Sequence, residues 1–327
     1  MIKAADIGID LGTTNIVVYI KGKGIIIKEP AVIAYDRDEE KIKACGAEAA
    51  SMIGRTPGNV SAIMPLRDGV ISDYVMTEYL LRYFIRKAIG HRGFLKPRIV
   101  IAVPARTTDV ERRAVKEAAY QAGAKDVYTV ESAAAAAVGA GLDISKAAGN
   151  MVVDIGGGTT DIAVISLGDT VASASIPIGG NAFTEAIIRF VRKNHLIFIG
   201  EQTAENVKKS IGYAWPHKEE KFMEIKGRNV FSGLPGKVML SSFELVEPLQ
   251  ETGNRLADAV ANVIEQTTPE IATDIQKRGI VLTGGGTLLR GVEEAITRRT
   301  GIFAVTAENP ASCTALGTAR YLQVIDE

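Results

Sequence analysis

Two stretches of the chain, Asp6 to Ile20 and Met151 to Leu167, share one grammar. Each is an apolar, β-branched run that reaches an aspartate (Asp10, Asp154), turns through glycines and threonines, and leaves on a second β-rich run. The first turn holds Gly12, Thr13, Thr14 and Asn15; the second holds Gly156, Gly157, Gly158 and Thr159. A third glycine turn, Gly284 to Gly286, follows another apolar run. Glycine lets backbone N–H groups approach an anion with no Cβ in the way, and threonine adds a hydroxyl donor. One such turn alone is an ordinary hairpin. Three in one chain, two of them led by an aspartate, point to a clamp that grips a phosphate tail from both sides. Asp10 and Asp154, equivalent in the two repeats, are the paired carboxylates that a hard, octahedral Mg2+ takes beside phosphates, with water completing its shell. The chain has no Gly-x-x-x-x-Gly-Lys-Ser/Thr, and no Gly-x-Gly-x-x-Gly follows a strand in the dinucleotide manner.

The elements that must hold these turns are legible as well. The repeated hairpins, each followed by further strands and helices, imply two related α/β halves, with a boundary in the polar stretch Ile144 to Asn150. Arg98 to Ala105 reads as a buried strand ended by Pro104, and Thr108 to Gly123 as a helix capped by Thr108 or Asp109 with a glycine stop. Lys125 to Val130 is the next strand, after which Ser132 and five alanines open a helix small enough to lie close to a neighbour. In the second half, Ala182 to His195 and Thr203 to Ala214 have helical spacing. Val230 to Leu245 reads as a small hairpin region. Glu244 to Thr267 reads as a long helix kinked near Pro248 and Gly253, and Gly279 to Gly301 as strand, glycine turn and helix.

Length and composition set the class. The 327 residues are enough for two domains or one two-lobed unit, and hydrophobic (46%) and charged (23%) contents are those of a globular protein. Lys+Arg and Asp+Glu balance at 38 each, which argues against a protein built to grip nucleic acid. Cys45 and Cys313 match no metal spacing, and with no signal peptide the expected compartment is a reducing cytoplasm. The longest apolar runs are strand-length, short of the ~20 residues of a spanning helix, and Met1 to Asp6 is too short for an amphipathic anchor.

Four stretches, GIDLGTTNIVVYIKGKGIIIKEPAVIA, MIGRTPGNVSAIMPLRDGVISDYVMTEYLLRYFI, MVVDIGGGTTDIAVISLG and RGIVLTGGGTLLRGVEEAI, together resemble MreB, the bacterial actin family. The similarity runs almost end to end. It implies an actin-like α/β fold with two lobes, each with a ribonuclease H-like core, ATP and Mg2+ in the cleft between them, and polymerisation into protofilaments. The implied lobes are residues 1–144 with about 311–327, carrying a small subdomain at about 31–66, and residues 145–310, carrying one at about 182–245. Carried over residue by residue, the resemblance places the first phosphate loop on Asp10 and Gly12 to Asn15, and the second on Asp154 and Gly156 to Thr159. It places an adenosine-side Glu-x-x-Lys on Glu205 and Lys208, a pair whose spacing alone fits an exposed helical charge pair, and an adenine-side turn on Gly284, Gly285 and Gly286. The family's membrane loop falls on GHRGFLKPR, where Phe94 and Leu95 stand among His91, Arg92, Lys96 and Arg98. Adjacent apolar residues in a basic loop suit shallow insertion into an anionic bilayer. The expected partners are therefore further copies of the chain, the inner face of a membrane, and membrane-bound morphogenetic or organelle proteins.

The departures from the family concern hydrolysis. MreB proteins carry two acids and a proline ahead of the alanine helix, and the second acid orients the attacking water; here the three positions are Glu131, Ser132 and Ala133. A serine hydroxyl holds a water but does not share its developing charge, and such groups contribute ~10²–10⁴-fold, so slow hydrolysis is expected. Ser132 suits an N-cap, so the helix should survive the change. The remaining catalytic candidates are Thr159, Asp161 (glutamate in most of the family) and Glu131. Asn181 replaces a usual acid. The competing readings are a small-molecule kinase of the same superfamily, for which no acceptor-side aspartate follows Ile99 to Ala105, and a DnaK-type chaperone ATPase.

Overall fold

The structure, a computed structural model, describes residues 6–56, 58–90 and 96–324. In the first half, β1 (Asp6–Leu11), β2 (Asn15–Ile20) and β3 (Gly24–Pro30) run antiparallel. A small three-stranded sheet follows, made of β4 (Ile33–Asp36), β5 (Lys41–Cys45) and β6 (Val60–Ile63), with the short helix α1 (Ala47–Ser51). A two-stranded ribbon, β7 (Leu66–Arg67) and β8 (Val70–Ile71), leads into α2 (Tyr74–Ile89). Then β9 (Arg98–Val103), α3 (Asp109–Gln121) and β10 (Asp126–Glu131) complete a sheet ordered β10-β9-β1-β2-β3, with β9 and β10 parallel to β1. Thr108 caps α3: its hydroxyl accepts from the Glu111 N–H while the Glu111 carboxylate accepts from the Thr108 N–H.

After α4 (Ser132–Gly139) the second half repeats the plan. β11 (Asn150–Ile155), β12 (Thr160–Ser166) and β13 (Asp169–Ile176) are antiparallel. Next come α5 (Gly180–Asn194), β14 (Ile197–Phe198), α6 (Glu201–Ile211) and the hairpin β15 (Phe222–Asn229) and β16 (Pro235–Ser241). They are followed by α7 (Val246–Glu265), α8 (Pro269–Arg278), β17 (Ile280–Thr283), α9 (Val292–Thr300), β18 (Ala304–Thr306) and α10 (Cys313–Val324). The second sheet is ordered β13-β12-β11-β17-β18, with β17 and β18 parallel to β11. Each sheet thus has its hairpin's first strand at the centre and its parallel strands added beside it, so the repeat of the sequence is a repeat of topology. The central β11 is buried at every residue, its apolar Met151, Val152, Val153 and Ile155 suiting a strand covered on both faces.

The alanine block explains itself in this arrangement. On α4, Ala133, Ala134, Ala136 and Ala137 pack with Val152, Ala163 and Ile165 of the second sheet, while Ala135 packs with Val100, Ala102 and Val130 of the first and Leu322 of α10. A helix that touches both sheets has no face free for long side chains. Its contact with α10 is closer still: a Cβ at Gly139 would lie 1.8 Å from the Cys313 carbonyl, and one at Gly317 1.7 Å from that of Ala135.

Several elements differ from the sequence expectation. Helix α7 is one unbroken helix from Val246 to Glu265. Pro248 sits in its first turn, where the missing N–H has no partner to lose, and Gly253 packs against Ala214 and Ala295 rather than breaking the helix. The hairpin begins at Phe222, eight residues before the expected Val230 to Leu245 region, and Val230 to Leu234 is its turn. Its first strand escaped notice because Ile225 alone is fully buried among exposed Glu224, Lys226 and Arg228. Helix α8 was not anticipated, although Pro269 at its start and Gly279 at its end are the usual boundary residues. Ser132 is the first helical residue of α4; Glu131 occupies the cap position, and no side chain caps the helix. The cap is dispensable because burial between two sheets fixes the helix.

Candidate functional site

The two glycine-threonine turns meet face to face. In each hairpin the glycine N–H after the β1 or β11 strand closes the turn, Gly12 onto the Asn15 carbonyl (3.1 Å) and Gly156 onto that of Thr159 (2.8 Å). A Cβ at Gly157 would lie 1.8 Å from the Thr14 hydroxyl, and one at Gly158 2.9 Å from that of Thr13. Glycine is therefore required so that one turn's backbone can lie against the other turn's threonines. Among the described residues, the N–H groups of Thr13, Thr14, Gly157, Gly158 and Thr159 donate to no protein acceptor. Unpaired donors converging from both sides form an anion nest. The Thr13 hydroxyl accepts from the Gly69 N–H (3.0 Å), which ties the ribbon of the first half to the same point.

Behind the turns stand three carboxylates. Asp10 and Asp154 occupy the same place in β1 and β11, and Asp154 pairs across the hairpin with Asp161. Asp154 is buried, its two carboxylate oxygens accepting from the Thr283 and Thr314 hydroxyls at 3.0 Å each. Asp161, also buried, accepts from the Ala105 N–H (3.4 Å) at the end of β9, so it links the two halves, and from the Thr159 hydroxyl (3.5 Å). Burial, and then the neighbouring carboxylates, push Asp154 up to about 8 and Asp10 to about 7; burial chiefly raises Asp161 to about 6. Solvent reaches the half-buried Asp10, which tempers its share. Two buried acids and the half-buried Asp10, with unpaired donors in the adjoining turns, have the chemistry of a site for a cation bound together with an anion. No three His, Cys, Asp or Glu side chains among the described residues converge to ligate a metal by themselves. A cation here would complete its shell with water and ligand oxygens.

The other predicted residues fall into place unevenly. Ser132 is buried, and its hydroxyl has no protein partner among the described residues. The Glu131 carboxylate turns to the Thr170 hydroxyl of β13 (3.4 Å), although its charge is still felt at Asp161. Glu205 and Lys208 are not an exposed pair. Lys208 is buried, bonded to the Glu205 carboxylate (2.6 Å), the Gly180 carbonyl (2.8 Å) and the Thr184 hydroxyl (3.0 Å). They fasten α6 to the start of α5, which in turn binds the second turn through Gly180 N–H to Gly156 (2.9 Å) and Asn181 N–H to Gly157 (2.8 Å). Gly284 has φ +83° and lies against the Ile155 carbonyl, where a Cβ would approach to 2.2 Å; Gly286 packs on the same residue. The third glycine turn thus adjoins the second. Phe94 and Leu95 lie outside the described residues. Among the described residues no helix is long and apolar enough to cross a membrane.

Sequence reasoning missed Thr283 and Thr314, the partners of Asp154. They stand 129 and 160 residues from it in the chain. The position of Thr283, immediately before the third glycine turn, was the one available signal.

Comparison with known proteins identifies the family and the fold. The family model described as MreB/Mbl protein matches residues 4–327. The cell shape-determining protein MreB of Escherichia coli strain K12 is 48% identical over 327 residues, covering 98% of this chain and 94% of its own length. Among solved structures, MreB 5 of Spiroplasma citri bound to AMPPNP superposes with a TM-score of 0.95 at 36% identity, covering 100% of this chain and 98% of that one. The MamK double helical filament, at 21% identity, shares the fold with a TM-score of 0.80, covering 98% of this chain and 99% of its own. With its repeated sheets, its facing turns and a match across nearly its whole length, the chain belongs to the MreB/Mbl family of bacterial actins and has the actin-like fold.

Proposed function

We propose that the protein binds ATP with Mg2+ between its two lobes, polymerises into cytoskeletal filaments on the cytoplasmic face of a membrane, and hydrolyses the nucleotide slowly. The contact of the two turns, with unpaired N–H donors beside the carboxylates of Asp10, Asp154 and Asp161, carries this reading. Gly12 to Asn15 and Gly156 to Thr159 are the phosphate loops, Gly284 to Gly286 the adenine-side turn, and Glu205 with Lys208 the support of the adenosine side. Asp10 and Asp154 hold Mg2+ through water, and the ion supplies positive charge that offsets the phosphates and the carboxylates alike. Thr159 and Asp161 are the residues that position water, with Glu131 too far turned away to replace the missing acid at Ser132. The lobes correspond to residues 1–144 with about 311–327, and 145–310; α10 packs on α4 and on the first sheet, which supports assigning the C-terminal segment to the first lobe. The relative solved with AMPPNP supports the nucleotide class, and the MamK filament supports self-assembly.

Electron microscopy and pelleting of the purified protein with Mg2+ and ATP, alone and on vesicles, paired with a phosphate-release assay, test the reading. Filaments that sediment on ATP addition with slow phosphate release are expected. A protein that stays soluble with ATP overturns the filament reading.

Membrane attachment depends on Phe94 and Leu95. A few buried CH2 groups at ~0.8 kcal/mol each hold one monomer only marginally, and a filament multiplies the attachment through avidity. Phe94→Ala with Leu95→Ala is expected to abolish co-sedimentation with anionic vesicles while leaving ATP-dependent pelleting intact. Unchanged vesicle binding removes the loop from the membrane face.

A further inference from the structure

The first turn of α5 brings one polar side chain to the facing turns with half of its bonding capacity unused. Asn181 is exposed at the cleft, and its backbone N–H is bonded to the Gly157 carbonyl (2.8 Å), so the residue is fixed to the second phosphate loop. Its side-chain Oδ1 accepts from the Thr14 hydroxyl (3.5 Å) of the first phosphate loop. This contact reaches from one half of the chain to the other, between residues 167 apart in sequence. The amide Nδ2, with two N–H groups, donates to no protein atom among the described residues. The partners of its backbone N–H and of its side-chain oxygen are therefore both phosphate-loop groups, and Gly157, which accepts from that N–H, itself carries an unpaired N–H.

The bond to Thr14 is long for a hydroxyl donor, whose usual reach is about 2.7–2.8 Å, so it is readily exchanged for a better acceptor. A phosphate oxygen is such an acceptor, because hydrogen bonds to a charged partner are shorter and about twice as strong as neutral ones. A carboxylate at this position would instead offer the phosphate a like charge and no donor. The amide supplies donors where a side chain of α5 already meets the hydroxyl of Thr14.

We propose that Asn181 is a phosphate-contacting residue that selects the triphosphate over the diphosphate: its Nδ2 donates to the terminal phosphate held between the two turns, and Thr14 turns to the same phosphate. The inference rests on the nucleotide reading above and adds to it the residue that tells the two nucleotides apart. The backbone donors of the turns serve any phosphate, whereas a side-chain donor tied to both loops is available to the group that bridges them.

The test is equilibrium binding of Mg2+–AMPPNP and Mg2+–ADP to the full chain and to two variants, Asn181→Ala and Asn181→Asp, with melting curves as the check on folding. Asn181→Ala is expected to weaken AMPPNP binding about tenfold or more while ADP stays within about twofold, which is the loss of one hydrogen bond to a charged group. Asn181→Asp, which keeps the shape and removes the donors, is expected to lose at least as much AMPPNP affinity. Equal weakening of both nucleotides in both variants, or no change in either, overturns the proposal even when the wild type binds nucleotide. If the wild type binds neither nucleotide, the nucleotide reading fails, and the inference falls with it.

Discussion

Replacing Asp154 with asparagine is expected to raise the melting temperature of the protein alone by several degrees and to remove its stabilisation by Mg2+ and ATP. Asp154 is pushed up to about 8, Asp10 to about 7 and Asp161 to about 6, all from an ordinary value of 3.8. In the folded protein these groups keep protons that the unfolded chain has released, so the native state binds more protons through this range. Stability must then fall as pH rises from about 4 through about 8, with the full cost present above that window. Asparagine keeps the shape, and its amide can bond to both Thr283 and Thr314, while the charge that burial and Asp10 oppose is gone. Relief of about 1–3 kcal/mol is expected, since each unit of pKa shift corresponds to about 1.4 kcal/mol. The same substitution removes a carboxylate from the proposed Mg2+ site. Melting curves between pH 5 and pH 9, with and without Mg2+ and ATP, decide the matter. A variant that melts below the wild type at pH 8, or that retains the full nucleotide-dependent shift, contradicts the assignment of Asp154.

Ser132→Glu is expected to raise the rate of phosphate release about a hundredfold or more, the scale on which a water-orienting carboxylate contributes. Ser132 stands at the start of α4, buried, with a hydroxyl that has no protein partner among the described residues. A glutamate there is compatible with the helix, because negative charge is favourable in a first helical turn. It also places a charge at a buried position, so a lower melting temperature in the absence of Mg2+ is expected alongside the faster rate. Single-turnover phosphate release measures the step apart from filament exchange. Glu131→Gln in the wild-type background supplies the comparison: Glu131 faces Thr170, and its loss should change the rate less than the gain of an acid at Ser132. An unchanged rate in Ser132→Glu means that the missing carboxylate does not limit hydrolysis.

The two predictions draw on parts of the chain that were legible to different degrees. The duplicated hairpins are legible because an apolar β-branched run, an aspartate and a glycine turn are local features, set by pleat periodicity and by the freedom of glycine. The capped helix α3 was equally local, its Thr108 and Glu111 three residues apart. The alanine block announced close packing but not its two sides. That α4 lies against both sheets depends on where α10 and the second sheet fold back. The hairpin β15–β16 and helix α8 were misplaced or missed because partial burial leaves little periodicity to detect.

The two repeated turns and the aspartate that leads each are legible in the sequence, since each copy is written in residues that are neighbours in the chain; that Ser132 stands in place of an acid is what the resemblance to the family implies. Tertiary structure alone decided that Gly157 rests on Thr14, that Thr283 and Thr314 hold Asp154, that Lys208 is buried at the start of α5, and that Asn181 reaches the opposite loop. These are contacts between residues up to 167 positions apart. They exist because packing joins elements far apart in the chain, β17 beside β11 within the second half and α4 against both sheets, and no local pattern encodes the distance between two surfaces that only packing brings together.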